Sequence, residues 1–147
     1  MILGYKQRFP WGKKTDFKAK ILSGAKKHSF RKDPENRWSV GMKIQQAIYR
    51  FRMQYHCFAE MECKCIQTIK IEKADDRIDK NCFIFREVVR GNEYIMGFKI
   101  IVDNKVLDRK AIAELAHNDG FDFTDDFFRI FRNGFDGYII HWTDLKY

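Results

Sequence analysis

A mixed α+β fold, built as a small β-barrel or a strongly curved mixed sheet flanked by three short helices, is predicted by three features of the chain. Strand-like alternation dominates the middle, one short helical pattern precedes it and two follow it. Both prolines, Pro10 and Pro34, fall early, which leaves the central segments free to pair. With 147 residues, 45% of them apolar and 14 of them Phe, the chain can fill one core but not two, so residues 1–147 are read as a single domain.

The elements follow in order. Residues 2–7 read as a first strand, closed by a turn at Phe9-Pro10-Trp11-Gly12 that presents an aromatic ring among cations. Thr15 is placed to cap a short helix in which Phe17, Ile21 and Leu22 form the apolar stripe and Gly24 the stop. Lys26 to Arg31 reads as a strand, and Trp38 to Ile44 leads into another. Residues 50–62 carry no readable pattern. Cys63 to Glu72 alternates like a strand with one wet face, interrupted at Ile66 and Gln67. Phe83 to Val89, Glu93 to Met96 and Phe98 to Val102 read as further strands, turned at Gly91-Asn92 and Asp103-Asn104. Asp108 is placed to cap a helix with Ile112, Leu115 and Ala116 inward and Gly120 beyond its end. Thr124 is placed to cap the last helix, with Phe123 and Phe128 as a staple and Phe127, Ile130 and Phe131 as the stripe. Tyr138 to Trp142 closes the chain as a strand.

Charge is distributed unevenly. Residues 1–32 carry ten Lys and Arg against the single acid Asp16, a local excess of +9, whereas the remaining 115 residues carry 18 basic and 19 acidic side chains. A basic segment of this kind points to a polyanion, with nucleic-acid phosphate the leading candidate and general solubility the plain alternative. Arg8, Lys13, Lys14, Lys27 and Arg31 are the phosphate-binding candidates. Trp11 and Trp38 offer rings for an unstacked base, unless they serve core or hinge packing. Such rings and cations suit single-stranded or looped RNA better than a duplex.

Other classes find less support. No signal-like N-terminus and no membrane-length apolar run is seen, so a cytoplasmic protein without membrane contact is expected. Cys57, Cys63, Cys65 and Cys82 do not form a disulfide framework. A zinc site from Cys63 and Cys65 with Cys57, Cys82 or His56 lacks a matching second pair, so no metal or other cofactor is predicted. His28 has the chemistry of an acid or base near neutral pH, although a lone strand histidine is more often packed. Spacing gives no oligomeric state.

The run Phe17-x-x-x-Ile21-Leu22-x-Gly24-x-Lys26-x-x-Ser29-x-Arg31, followed by Trp38-x-x-Gly41-Met42-Lys43-Ile44 and later by Leu115-Ala116-x-x-Asp119-Gly120-Phe121, resembles the ASCH domains of the PUA-like superfamily. The resemblance covers about residues 1–46 and 107–142. It implies a small β-barrel flanked by helices, with a cleft beside the first helix that handles RNA or modified nucleosides. Residues 47–106 form an insertion or extended strand region with no counterpart. One branch, the N4-acetylcytidine amidohydrolases, is similar in its Gly-x-Lys-x-x-hydroxyl-x-Arg motif and its late acid. Carried over, these roles fall on Lys26, Ser29 and Asp119, with Ser where the branch has Thr and Asp where it has Glu.

The residues allow that chemistry in their own right. A serine hydroxyl becomes a nucleophile when a neighbouring base takes its proton, and a lysine serves as that base if burial or nearby cations such as Lys27 and Arg31 lower its pKa. A carboxylate close by acts in the opposite direction. In a regular strand Lys26 and Ser29 would face opposite ways, so their cooperation requires a bend after Gly24. The plainer reading makes Gly24 a helix stop, Lys26 and Lys27 favourable charges at the helix end, and Ser29 a strand residue. Three functions are therefore carried forward: an RNA- or nucleoside-binding domain with a cleft formed by residues 8–31 and the loop around Asp119, an amidohydrolase acting on N4-acylated cytidine, and a protein-interaction module of phage or regulatory origin.

Overall fold

A computed structural model describes residues 1–49 and 53–147. In chain order these residues form β1 (Ile2–Tyr5), α1 (Phe17–Leu22), β2 (His28–Arg31), β3 (Lys43–Ile48), β4 (His56–Glu62), β5 (Cys65–Ala74), β6 (Phe83–Val89), β7 (Asn92–Val102), β8 (Lys105–Val106), α2 (Arg109–Asn118), α3 (Thr124–Ile130) and β9 (Phe135–His141). The α+β class and the three short helices agree with the sequence reading. The barrel does not form: the strands make two open sheets, a mixed one ordered β1-β3-β4 and an antiparallel one ordered β2-β9-β5-β7-β6, with β8 beside β7.

The two sheets meet at a corner. The Cys63 amide still donates to Met42 O, ahead of β3, at 2.8 Å, and the next amide, Lys64, donates to His141 O of β9, also at 2.8 Å. The chain therefore leaves one sheet and joins the other within a single residue, and no ladder runs along the seam to close a barrel. On β9 the alternation of side chains sends Ile139 into one core and Ile140 into another. The larger core joins the antiparallel sheet to α2 and α3 through Ile69, Ile100, Ile112, Leu115, Phe127 and Phe128. The smaller core gathers Leu3, Tyr5, Ile21, Ile44 and Trp142, and Phe17 packs against both. The stretch 47–106, expected as an insertion or extended strand region, contains β4 to β8, with β5 lying between β9 and β7 in the large sheet.

Local expectations hold where the signal is local. Asp108 Oδ1 accepts from the Ala111 amide at 2.8 Å as the cap of α2, and Gly120 follows with φ 91°. Thr15 does not cap α1: its hydroxyl donates to Lys6 O at 2.7 Å, and Asp16 starts the helix in a left-handed conformation with φ 52°. Lys26 and Lys27 precede β2, which begins at His28. Gly97, expected at a break between strands, lies inside β7 opposite Ala74 of β5, where a Cβ would stand 2.3 Å from Ala74 O. The β6–β7 hairpin turns at Arg90 and Gly91, one residue earlier than expected, and both have the positive φ of a type I′ turn. Gln67, expected to interrupt β5, keeps its alternation and is buried, donating through Nε2 to Asp103 Oδ2 at 2.9 Å. β4, in the stretch without a readable pattern, pairs antiparallel with β3, while residues 50–52 lie outside the described residues.

The staple across the start of α3 is absent. Phe123 is 64% exposed, while Phe128 is fully buried between Phe83 and Phe98, with ring centroids at 4.7 and 4.8 Å. Phe128→Ala is therefore expected to lower unfolding free energy by about 3–5 kcal/mol, and Phe123→Ala by less than about 0.5 kcal/mol, in chemical denaturation.

Candidate functional site

The site is built at the junction of the two cores. After α1, Gly24 turns the chain with φ 81°, and the Lys26 amide bonds back to Lys20 O at 2.9 Å. The Lys27 amide then reaches Asn118 O at 2.8 Å, which ties this segment to the end of α2. Asp119 is the C-cap of α2, and Gly120 follows at positive φ. A Cβ on Gly120 would stand 3.0 Å from Lys26 Cδ and 3.1 Å from the Phe17 ring, so glycine serves here for room as well as for conformation.

Lys26, 1% exposed, extends its ammonium into this junction. Nζ donates to Asp119 Oδ1 at 2.7 Å and also to the Asp119 carbonyl, and it lies 4.7 Å from the centre of the Phe17 ring and 5.7 Å from that of Tyr5. Burial lowers the Lys26 pKa from 10.5 to about 8, outweighing the upward pull of Asp119. The opposition between burial and carboxylate that the sequence raised thus falls in favour of burial. Burial alone would raise the Asp119 pKa, but the charge of Lys26 holds it below the ordinary carboxylate range. His28, behind the pair, is kept neutral by burial; its Nδ1 stands 3.5 Å from Asp119 Oδ1 and its Nε2 shares a 2.8 Å hydrogen bond with the Tyr147 hydroxyl.

Because β2 starts at His28, Ser29 and Arg31 share one face of the strand, and His28 and Phe30 share the other. Ser29 Oγ, nearly buried, accepts from Arg31 Nη1 at 2.9 Å. The guanidinium also donates to Gly4 O and lies 5.6 Å from the centre of the Tyr5 ring. Tyr5 in turn donates its hydroxyl to Gln46 Oε1 at 2.6 Å, and burial raises its pKa, which keeps it neutral. Lys26, Ser29, Arg31 and Asp119 together line a pocket of about 340 Å³ whose walls include Tyr5, Phe9, Phe17 and Phe121.

The bend that brings Lys26 and Ser29 together is simply the late start of β2. Of the other predicted residues, Arg8 lines this pocket, and Lys14 lines a neighbouring one. Lys13 is paired with Asp126 at 2.8 Å. Lys27 and Trp38 line neither pocket. Trp38 packs against the smaller core, and Trp11 stacks on Phe9 with the Arg129 guanidinium 4.9 Å from its ring. Tyr5 and Gln46 carry no signal in the sequence, because only the parallel pairing of β1 with β3 brings them together. Cys63 lies in the smaller core with its Sγ 3.8 Å from Cys65 O, Cys82 lies beside Ala74 O, and no group of three His, Cys, Asp or Glu among the described residues is arranged to hold a metal. No helix among the described residues is long and apolar enough to cross a membrane.

Comparison of the chain with protein-family models, curated proteins and solved structures gives no match.

Removing one partner of the buried pair leaves an uncompensated charge, so Asp119→Ala is expected to destabilise by about 3–5 kcal/mol. A lysine whose pKa is lowered by folding binds fewer protons folded than unfolded above pH 8, so its contribution to stability rises with pH from there toward 10.5. The stability of the wild type relative to Lys26→Met should therefore increase between about pH 8 and 9, by up to ~1 kcal/mol, in parallel denaturation series. A flat difference would show that Lys26 keeps an ordinary pKa.

Proposed function

We infer that the chain is an ASCH-like domain, its strands in two open sheets rather than a closed PUA barrel, that binds RNA or a nucleoside in the pocket between α1, β2 and the end of α2. The observation that carries this reading is the convergence of Lys26, Ser29 and Asp119, up to 93 positions apart in sequence, on one pocket walled by aromatic rings. A planar, uncharged base suits such a place. The Lys26 and Asp119 charges neutralise each other and still present donors and an acceptor, while the rings offer apolar surface for stacking. Arg8 and Arg31 at the same pocket supply cations for a ribose phosphate.

Hydrolysis of an N4-acylated cytidine is the second reading, favoured by the lowered pKa of Lys26 and a buried serine on the same pocket. Neutral Lys26 would take the Ser29 hydroxyl proton as Oγ bonds to the acyl carbon. The amide C–N bond would then break, with the proton passing to the departing cytosine amine, and water would release the acyl group as a carboxylate. Neither reading calls for a cofactor.

Isothermal titration with cytidine and with a single-stranded oligocytidine separates the possibilities. Binding that weakens about tenfold or more in Arg31→Ala, with a salt dependence for the oligomer only, is expected. Loss of neither would remove the pocket from function. Turnover of N4-acetylcytidine that rises with pH toward about 8 and vanishes in Ser29→Ala would establish the hydrolase; no turnover by the wild type removes it.

A further inference from the structure

A second pocket of about 400 Å³ adjoins the first and shares with it Tyr5, Lys6, Arg8, Thr15 and Phe17. Tyr5 and Phe17, edge to face with ring centroids 6.1 Å apart, stand on the boundary of both. The chemistry on the two sides differs. In the inner pocket the buried cation Lys26 has its carboxylate, Asp119. The outer pocket gathers Lys6, Arg8, Lys14 and Lys18, all exposed, and none of them forms an ion pair among the described residues. Arg8 donates to Gly12 O, and Lys18 Nζ lies 3.4 Å from His56 Nε2; among the described residues Asp16 is the only acid lining the space. The neighbouring lysines off this pocket are engaged otherwise: Lys13 is paired with Asp126 and Lys20 with Asp122.

Resting on the reading of the inner pocket as a nucleoside site, we propose that the outer pocket binds the phosphodiester and the adjoining nucleotide of the same strand, so that the ligand is single-stranded RNA of at least two nucleotides. A free nucleoside beside the Lys26–Asp119 pair leaves Lys6, Arg8, Lys14 and Lys18 without an anion. A phosphodiester beside it meets them. The outer volume exceeds what one phosphate needs, and Leu22 and Ile48 on its lining give a second base apolar surface. Tyr5 and Phe17 then stand between successive bases rather than flank a single one.

The test is the ratio of affinities for the dinucleoside monophosphate of two cytidines and for cytidine, in the wild type and in Lys14→Ala/Lys18→Ala. Both lysines are exposed, so the variant folds. The wild type should prefer the dinucleotide by about tenfold or more at low salt. That preference should shrink about threefold for each neutralised phosphate between roughly 50 and 200 mM salt, and collapse in the double variant. Cytidine binding without a gain from the second nucleotide, or a gain that survives the double variant, overturns the second subsite while leaving the first intact. Absence of binding by both ligands overturns the inner site and this proposal together. Displacement of the dinucleotide by polyglutamate of equal charge at equal concentration would assign the cations to an acidic protein and overturn the nucleotide assignment.

Discussion

The buried pair of Lys26 and Asp119 fixes how the two ends of the molecule meet. Such a pair adds little net stability, because desolvating two charges offsets most of their attraction. Its effect is on register. The ammonium bonds both the carboxylate and the carbonyl of Asp119, Lys20 reaches Gly120 O, and the Lys27 amide takes Asn118 O, so the turn after α1 has one place to lie against the end of α2. The aromatic walls of the pocket are set by the same contact. Phe17 packs into both cores and faces the Lys26 ammonium, which makes the seam between cores a polar point surrounded by rings.

The strongly basic first 32 residues are legible in the sequence as a patch but not as a pattern. Folding sorts their cations by partner: Lys13, Lys20 and Lys26 find carboxylates from the distant 119–126 segment, whereas Lys6, Arg8, Lys14 and Lys18 gather on one pocket. A count of charges cannot make this distinction, since every acid that neutralises a member of the segment lies about a hundred residues away. The two tryptophans illustrate the same limit. Their chemistry suits base stacking, yet Trp11 lies on Phe9 and Trp38 joins the smaller core.

Elements with strong local signals are readable, and those that depend on pairing are not. The Asp108 cap, the inward stripe of α2 and the positive-φ turn at Asp103 and Asn104 follow from chemistry within a few residues. By contrast, β4 has no clean alternation and is a strand because β3 offers it a ladder. Gly97 reads as a break and is instead a point of close approach to Ala74. Gln67 looks like an interruption because its side chain is polar, but Asp103 and Tyr147 satisfy it inside. Separating a barrel from two open sheets requires the corner at Cys63 and Lys64, where only long-range hydrogen bonds tell the strands apart.

The pocket draws on Tyr5 from the beginning of the chain, Lys26 from the first fifth, and Asp119 from the last fifth. Ribosomal synthesis delivers these residues in that order, with the anion last. An emerging chain that has not reached Asp119 has a lysine without the carboxylate that compensates its burial in the finished fold. A product that ends before α2 thereby carries most of the residues that line the cavity but not the carboxylate that partners its buried cation.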